Sequence, residues 1–214
     1  MSEKINLKEL QRTAWRTIFQ DGLWDIFMGL LLMNIAIYTV ADELFASDDM
    51  KLALFIGGEI AAFLFLWAGK RFITVPRMGK AKFGQLGKVR RSKAKLLSFA
   101  SILIGLIVFI IAAGLSEQGQ IAGLPRVYVV AAGWVINAMF VFGLAGYFLD
   151  FNRLYLIGAM FALSFPLDLV VRELRDNDRW SFFAYAIPGL IVLGIGLYIL
   201  IKFLKKYPAR QEAA

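Results

Sequence analysis

Residues 52–69 read LALFIGGEIAAFLFLWAG, an apolar run with a single carboxylate, Glu59, inside it. A helix needs about 20 predominantly apolar residues to cross a bilayer, so the run predicts a membrane span. An ionisable side chain inside a span is costly and commonly marks a functional site. The next residues, 70–95, carry ten Lys or Arg side chains and no acidic residue. The stretch therefore predicts a membrane helix with a candidate polar site, followed by a basic loop.

The composition extends this prediction to the whole chain. Of the 214 residues 59% are hydrophobic, and the mean hydropathy is +0.66, which is typical of a membrane protein rather than of a soluble domain. We expect a single all-α integral membrane domain over residues 1–214. The net charge of +8 lies mainly between apolar runs, so topology explains it better than a nucleic-acid partner.

Six apolar runs predict six transmembrane helices. They cover residues 22–40, 52–69, 96–114, 127–149, 154–171 and 181–203. With this arrangement 19 of the 24 Lys and Arg residues fall on one side of the membrane. The positive-inside rule makes that side cytoplasmic, with both termini on it, and we expect a multi-pass protein of the plasma (inner) membrane.

The segment before the first span predicts an amphipathic helix. In residues 6–20, Asn6 and Glu9 have the spacing of a capping box, and apolar and basic residues fall on different helical faces. We expect an interfacial helix on the cytoplasmic surface. A plain cytoplasmic helix, or an extension of the first span, fits the same pattern.

Several polar residues lie at a similar predicted depth in different spans. At about 1.5 Å per helical residue, Glu59 lies about 10 Å below the outer boundary, and Asn34 and Asp168 about 9 Å below it. Buried polar groups require partners in hydrocarbon, which favours a shared polar cavity open to the outside. Its predicted lining, a substrate- or ion-binding set, is Asn34, Tyr38, Glu59, Trp134, Asn137, Ser164, Asp168 and Tyr185.

Two interpretations of Glu59 stay open. In the first, a protonated Glu59 forms a hydrogen bond with an Asn side chain or a backbone carbonyl and so holds two helices together. In the second, the carboxylate is a proton or cation site. Gly57 and Gly58 form small-xxx-small pairs with Ala61 and Ala62, which predicts close approach of another helix, in the same chain or in a homo-oligomer.

The remaining acids within and beside the spans also have two interpretations. Asp168 follows Pro166, whose missing N–H favours a kinked cavity wall, but Asp168 and Arg172 also have the i,i+4 spacing of an ion pair. Asp21 and Asp25, at the start of the first span, are expected to complement the helix N-terminus and to pair with cytoplasmic arginines; the alternative is a gate or a protonation site.

The basic loop is a second candidate functional region. Basic residues beside a membrane attract anionic lipid headgroups, although topology determination alone also explains the charge. The predicted lipid-binding residues are Arg71, Arg77, Lys80, Lys82, Lys88, Arg90 and Arg91.

The chemistry available to the chain is limited by its composition. It contains no Cys and no His, which argues against thiol nucleophiles, serine–histidine catalysis and the usual zinc sites. We therefore expect no metal and no cofactor, and a membrane enzyme is only the third of the functional alternatives. The sequence favours binding or transport of a small solute or ion through the polar cavity; the alternative is a non-catalytic membrane scaffold that binds anionic lipid through the basic loop.

Overall fold

The computed structural model describes residues 19–41, 45, 47–78, 120–121, 124–175 and 178–208, and isolated positions between 89 and 107. The described fold is helical apart from a short ladder, in which β1 (Gln120–Ile121) pairs antiparallel with β2 (Leu124–Pro125). The predicted interfacial helix lies almost wholly outside the described residues. So do most of the third span and most of the basic loop, although positions 96, 99–101, 103, 105 and 107 of the third span are helical.

The first two helices are joined by the acidic segment between them. Helix α1 (Leu23–Thr39) starts after Gly22, which has a left-handed φ of 74°, and its 17 residues match the first predicted span closely. Helix α2 (Asp48–Gly69) continues through a π-helical turn, Lys70–Thr74, into α3 (Val75–Met78). Residues 70–78 therefore extend the helix, and the predicted loop begins later than expected. Pro76, which has no N–H for a regular helical bond, lies two residues after the π turn.

The remaining helices follow the predicted spans to within a few residues. Helix α4 (Arg126–Leu149) and helix α5 (Arg153–Arg175) are joined by a tight turn, and a 3₁₀ turn (Asp178–Trp180) leads into α6 (Ser181–Lys206). Asp150 ends α4 in a left-handed conformation, with the two hydrogen bonds of a Schellman motif.

Four of these helical segments are long and apolar enough to cross a membrane. They are Asp48–Met78, Val127–Leu149, Arg153–Arg172 and Ser181–Lys206, and α1 is a shorter apolar helix. Their large apolar side chains are widely exposed, including Ile60, Phe63 and Ile136. Exposure of this kind suits helices surrounded by hydrocarbon and is typical of a helical membrane protein.

The chain clusters into two compact units. Residues 1–89 and 186–214 form the first unit, and residues 90–185 form the second. In the first unit α1 packs against α2 and against the later part of α6, where Gly29 and Gly189 allow close approach. In the second unit α4 and α5 form an antiparallel pair, where a Cβ on Gly158 would lie 2.3 Å from Phe142 Cβ. Each unit contains part of the predicted polar site.

Candidate functional site

The first polar cluster joins α1 to α2. Asn34, which is 8% exposed, donates from Nδ2 to the backbone carbonyl of Phe55 at 2.8 Å and to Glu59 Oε1 at 3.0 Å. Both protons of the amide are thus used between the two helices. The pairing of Asn34 with Glu59, which the predicted depths indicated, is present in the structure.

The close approach of Asn34 depends on Gly58. A Cβ at position 58 would lie 2.1 Å from Asn34 Oδ1, whereas a Cβ at Gly57 would meet nothing within 4 Å. Of the two predicted small-residue pairs, the one formed by Gly58 and Ala62 therefore faces α1 within the chain. The Gly57 face meets no described neighbour, and the homo-oligomer stays a prediction.

Tyr38 lies one turn beyond Asn34 on α1. Its ring packs against Phe55 with the ring centroids 5.2 Å apart, and the side chain is partly exposed. Tyr38 thereby covers the same turn of α2 that carries the carbonyl bound by Asn34. It contributes an aromatic wall to the first cluster.

Glu59 is half-buried and lies at the edge of the contact between α1 and α2. Its neighbours on α2 are the buried Ala62 and the exposed Ile56 and Phe63. Within the described part of the chain its carboxylate accepts a hydrogen bond from Asn34 and forms no ion pair. The group that meets Glu59 is a neutral amide, so its charge has no counter-ion there.

The second polar cluster lies in the other unit, at the end of α5. Asp168 is 3% exposed, and its Oδ1 accepts a hydrogen bond from Arg172 Nε at 3.0 Å. The side chain of Tyr185, at the start of α6, also forms a hydrogen bond with Asp168. The i,i+4 ion pair that the spacing suggested is formed, and the charge of Asp168 is compensated.

Two other predicted residues of this unit, Trp134 on α4 and Ser164 on α5, form hydrogen bonds to backbone carbonyls. Trp134 donates from Nε1 to the Phe161 carbonyl at 3.0 Å, and its ring lies beside Phe165. Ser164 is fully buried and donates to the Met160 carbonyl of its own helix. These contacts tie helices together and satisfy backbone carbonyls.

Asn137 differs from its neighbours because its acceptor is unused. Its Oδ1 is buried and has no hydrogen-bond partner among the described residues, while its Nδ2 would be 3.9 Å from a Cβ placed on Gly105. A buried amide oxygen of this kind prefers a donor, such as a water or a donor-bearing solute.

The structure therefore describes the predicted cavity lining in two parts. Asn34, Tyr38 and Glu59 belong to the first unit, and the other five residues belong to the second. Within each unit the side chains make the contacts given above. The cavity shared by all eight residues stays a prediction.

Two of the predicted lipid-binding residues lie in the described part of the chain. The Arg71 guanidinium lies 5.3 Å from the centre of the Trp67 ring. Arg77 donates from Nη1 to the Ile73 carbonyl at 3.0 Å, and its Nε is buried with no partner among the described residues. Lys80, Lys82, Lys88, Arg90 and Arg91 lie outside the described residues.

The sequence reasoning missed one polar contact, at the cytoplasmic end predicted for α1 and α2. Asp21 is fully buried and pairs with Lys70 at 2.7 Å. The expectation that arginine neutralises Asp21 was wrong, because the helical turn after Gly69 brings Lys70 to it. Antiparallel spans that start at Gly22 and end at Gly69 place these neighbours at one height, and that signal was available in the sequence.

The described residues hold no group of three or more acidic, His or Cys side chains that could bind a metal ion. Comparison of the chain with protein-family models, curated proteins and solved structures found no match. The functional argument therefore depends on the two polar clusters themselves.

Proposed function

We propose that the protein moves a proton or a small cation across the membrane, with Glu59 as the group that takes it up and releases it. The proposed topology has six spans, with both termini on the cytoplasmic side of the inner membrane. Support for this topology comes from the asymmetric distribution of Lys and Arg and from the helices described above.

The contact between Glu59 and Asn34 is the observation that carries the proposal. An ionised carboxylate among apolar helices requires compensation, and a single amide donor supplies a hydrogen bond without supplying charge. Uptake of a proton or a cation removes that cost. Asn34 is itself anchored on the Phe55 carbonyl, so the amide keeps its position when the charge of Glu59 changes.

The position of Glu59 on α2 also favours exchange. The carboxylate is half-buried at the edge of the packed face rather than sealed inside it. Small residues on its helix, Gly58 and Ala62, bring α1 close without covering the carboxylate with a bulky side chain. A group that exchanges an ion needs such a border position, because it must be reached from a polar path.

Asp168 is a weaker candidate for the same role. It already has Arg172 as counter-ion and Tyr185 as hydrogen-bond partner, so exchange at Asp168 requires release of the guanidinium. This arrangement favours a structural ion pair. We propose that Asp168 stabilises the outer end of the second unit while Glu59 carries the ion.

Flux measurements in proteoliposomes test the proposal. The vesicles contain a pH-sensitive dye, and a proton gradient or a Na⁺ or K⁺ gradient is imposed across the membrane. With the natural sequence we expect a change in the dye signal, which reports proton entry, or a flux of the cation. Glu59→Gln should abolish it. The matched control is Asp49→Asn, which removes an exposed acid from the same helix. Equal flux in the natural sequence, Glu59→Gln and empty vesicles would contradict the proposal.

Binding of anionic lipid is the second candidate function, and Arg77 provides the observation that favours it. A partly buried guanidinium whose Nε has no partner among the described residues offers a donor to a phosphate oxygen. Arg71 and Trp67 lie on the preceding turns, and a basic residue over an aromatic ring is suited to the membrane interface. The lipid headgroup would bind at the end of α2 and α3.

Lipid-dependent thermal stability distinguishes this candidate from ion movement. In mixed micelles, phosphatidylglycerol should raise the melting temperature more than phosphatidylcholine does, and Arg77→Gln should remove the difference. The control is Lys51→Gln, on the predicted outer side, which should keep the difference in melting temperature between the two lipids. A lipid preference that survives Arg77→Gln would exclude this residue from the headgroup site.

A further inference from the structure

A buried polar contact joins the start of α1 to the end of α2. Asp21 is fully buried, and its Oδ2 accepts hydrogen bonds from Lys70 Nζ at 2.7 Å and from Thr74 Oγ1. Its Oδ1 accepts the Leu23 backbone N–H at 3.2 Å. Both carboxylate oxygens are therefore occupied, one by α1 and the other by the π turn.

Packing fixes the Asp21 side of this contact. Gly22 has a left-handed φ, and a Cβ there would lie 2.3 Å from the Gly196 carbonyl oxygen, so the turn is seated directly on α6. Leu23 is seated on Gly69, where a Cβ would lie 2.8 Å from Leu23 Cδ2. Movement of this turn would disturb contacts with two helices.

The Lys70 side of the contact has more freedom. Lys70 and Thr74 lie in the π-helical turn, where the Val75 N–H bonds to the Lys70 carbonyl rather than in the regular α-helical pattern. Such turns are rare and often occur at functional sites. The Lys70 side chain is 23% exposed, and its long stem allows the ammonium group to reach water without unfolding of the helix.

A permanent joint between two apolar helices does not require this ion pair. Apolar side chains of similar volume often stabilise such an interface as well or better, because they avoid the desolvation of two charges. This ion pair can, however, open and close, because Asp21 is fully buried while Lys70 lies near water. Asp25, also buried, adds its charge to the field at Lys70 and favours the closed arrangement.

We propose that Asp21, Lys70 and Thr74 form a releasable latch that closes the basic end of the α1–α2 hairpin. Asn34 and Glu59 lie about 20 Å further along the hairpin, at about 1.5 Å per residue from Asp21 to Asn34. Release of Lys70 separates the π turn from the start of α1 and opens a path toward Glu59 from the cytoplasmic side. The role of the latch in giving access to Glu59 rests on the proposed function, but the opening of the latch can be measured whether or not the protein moves an ion.

Pulsed electron paramagnetic resonance of the full chain in nanodiscs tests the latch. The natural sequence has no cysteine, so nitroxide labels can be placed at Gln20→Cys and Phe72→Cys, both exposed, without further changes. We expect one narrow distance distribution with the natural latch. Asp21→Asn should raise the fraction of a longer, open distance by at least about tenfold, because it removes the carboxylate charge that holds Lys70 at the start of α1.

The double variant Asp21→Asn/Lys70→Leu separates a latch from general damage. An apolar residue at position 70 has no charge to release, so the short distance should return. A label pair at Ile37→Cys and Ile56→Cys, near the other end of the hairpin, should keep its distance throughout. If Asp21→Asn does not fold, Thr74→Val removes one donor from Asp21 and should raise the open fraction by a smaller factor.

Two results would overturn the latch. One is a Gln20–Phe72 distribution that is unchanged in both Asp21→Asn and Thr74→Val. The other is a double variant that stays as open as Asp21→Asn alone. Glu59→Gln should leave all these distances unchanged, so a failure of ion flux and a failure of the latch are seen in different experiments.

Discussion

Glu59 and Asp168 are both acids within apolar helices at similar predicted depth, but their surroundings differ. Glu59 meets the neutral amide of Asn34 and is half-buried, whereas Asp168 is 3% exposed and meets the cation of Arg172 and the hydroxyl of Tyr185. Depth in the membrane is thus insufficient to assign a role. The two acids differ in the partners that the folded chain supplies, a neutral amide for Glu59 and a cation for Asp168.

Removal of Arg172 should have the largest effect on stability. Arg172→Met leaves the buried Asp168 without its counter-ion, and loss of one partner from a buried pair costs about 3–5 kcal/mol. We expect a value near 3 kcal/mol, because the Arg172 side chain is 43% exposed. The measurement is the free energy of unfolding in mixed micelles, by circular dichroism against increasing sodium dodecyl sulfate.

The corresponding change in the first cluster should be milder. Asn34→Leu removes a neutral hydrogen-bond donor, and such bonds between membrane helices contribute about 0.6–2 kcal/mol. Arg172→Met, in contrast, removes the counter-ion of a buried carboxylate, which costs more than the loss of a neutral donor. Equal losses in the free energy of unfolding for Asn34→Leu and Arg172→Met would contradict the proposed difference between Glu59 and Asp168.

The glycine pair on α2 should show that only one face meets α1. Gly58→Ala places a Cβ 2.1 Å from Asn34 Oδ1, which displaces the amide and should cost about 1–3 kcal/mol. Gly57→Ala, the matched control, meets nothing within 4 Å and should be neutral or stabilise by up to about 1 kcal/mol. Thermal melts in detergent measure both. A larger loss at position 57 would contradict the described contact.

Replacement of Trp134 should have a small effect on stability. Trp134→Phe removes the indole donor to the Phe161 carbonyl but keeps an aromatic ring beside Phe165, so a loss of about 1 kcal/mol is expected. The same unfolding assay measures it. A loss as large as that for Arg172→Met would mean that Trp134, rather than the ion pair, dominates the second unit.

The sequence predicted some of these features well because they follow from local patterns. Apolar runs set the limits of α4, α5 and α6, and the i,i+4 spacing indicated the pair of Asp168 and Arg172. Helical rise placed Asn34 and Glu59 at one height, and the structure joins them. These predictions depend on length and periodicity, which a single sequence contains.

Two other features were not predicted from the sequence, because they depend on where a helix ends and on which of its faces packs against a neighbour. Lys70 was assigned to a loop because the charge run begins there, but the helix continues through a π turn and carries Lys70 to Asp21. The choice between Gly57 and Gly58 as the packing face also required the three-dimensional contact with Asn34. The packing face does not follow from composition or spacing, and the pairing of Lys70 follows only if the helix is continued beyond Gly69.

Infrared spectroscopy across a pH titration tests the central claim most directly, because it reports the protonation of a carboxyl group in an apolar environment. We predict that the pH difference spectrum contains a carboxylic acid carbonyl component at the high wavenumber typical of an apolar environment, separate from the band of the exposed acids. This component should be absent in Glu59→Gln and retained in Asp168→Asn. A high-wavenumber component that persists in Glu59→Gln, or that disappears only in Asp168→Asn, would contradict the assignment of ion exchange to Glu59.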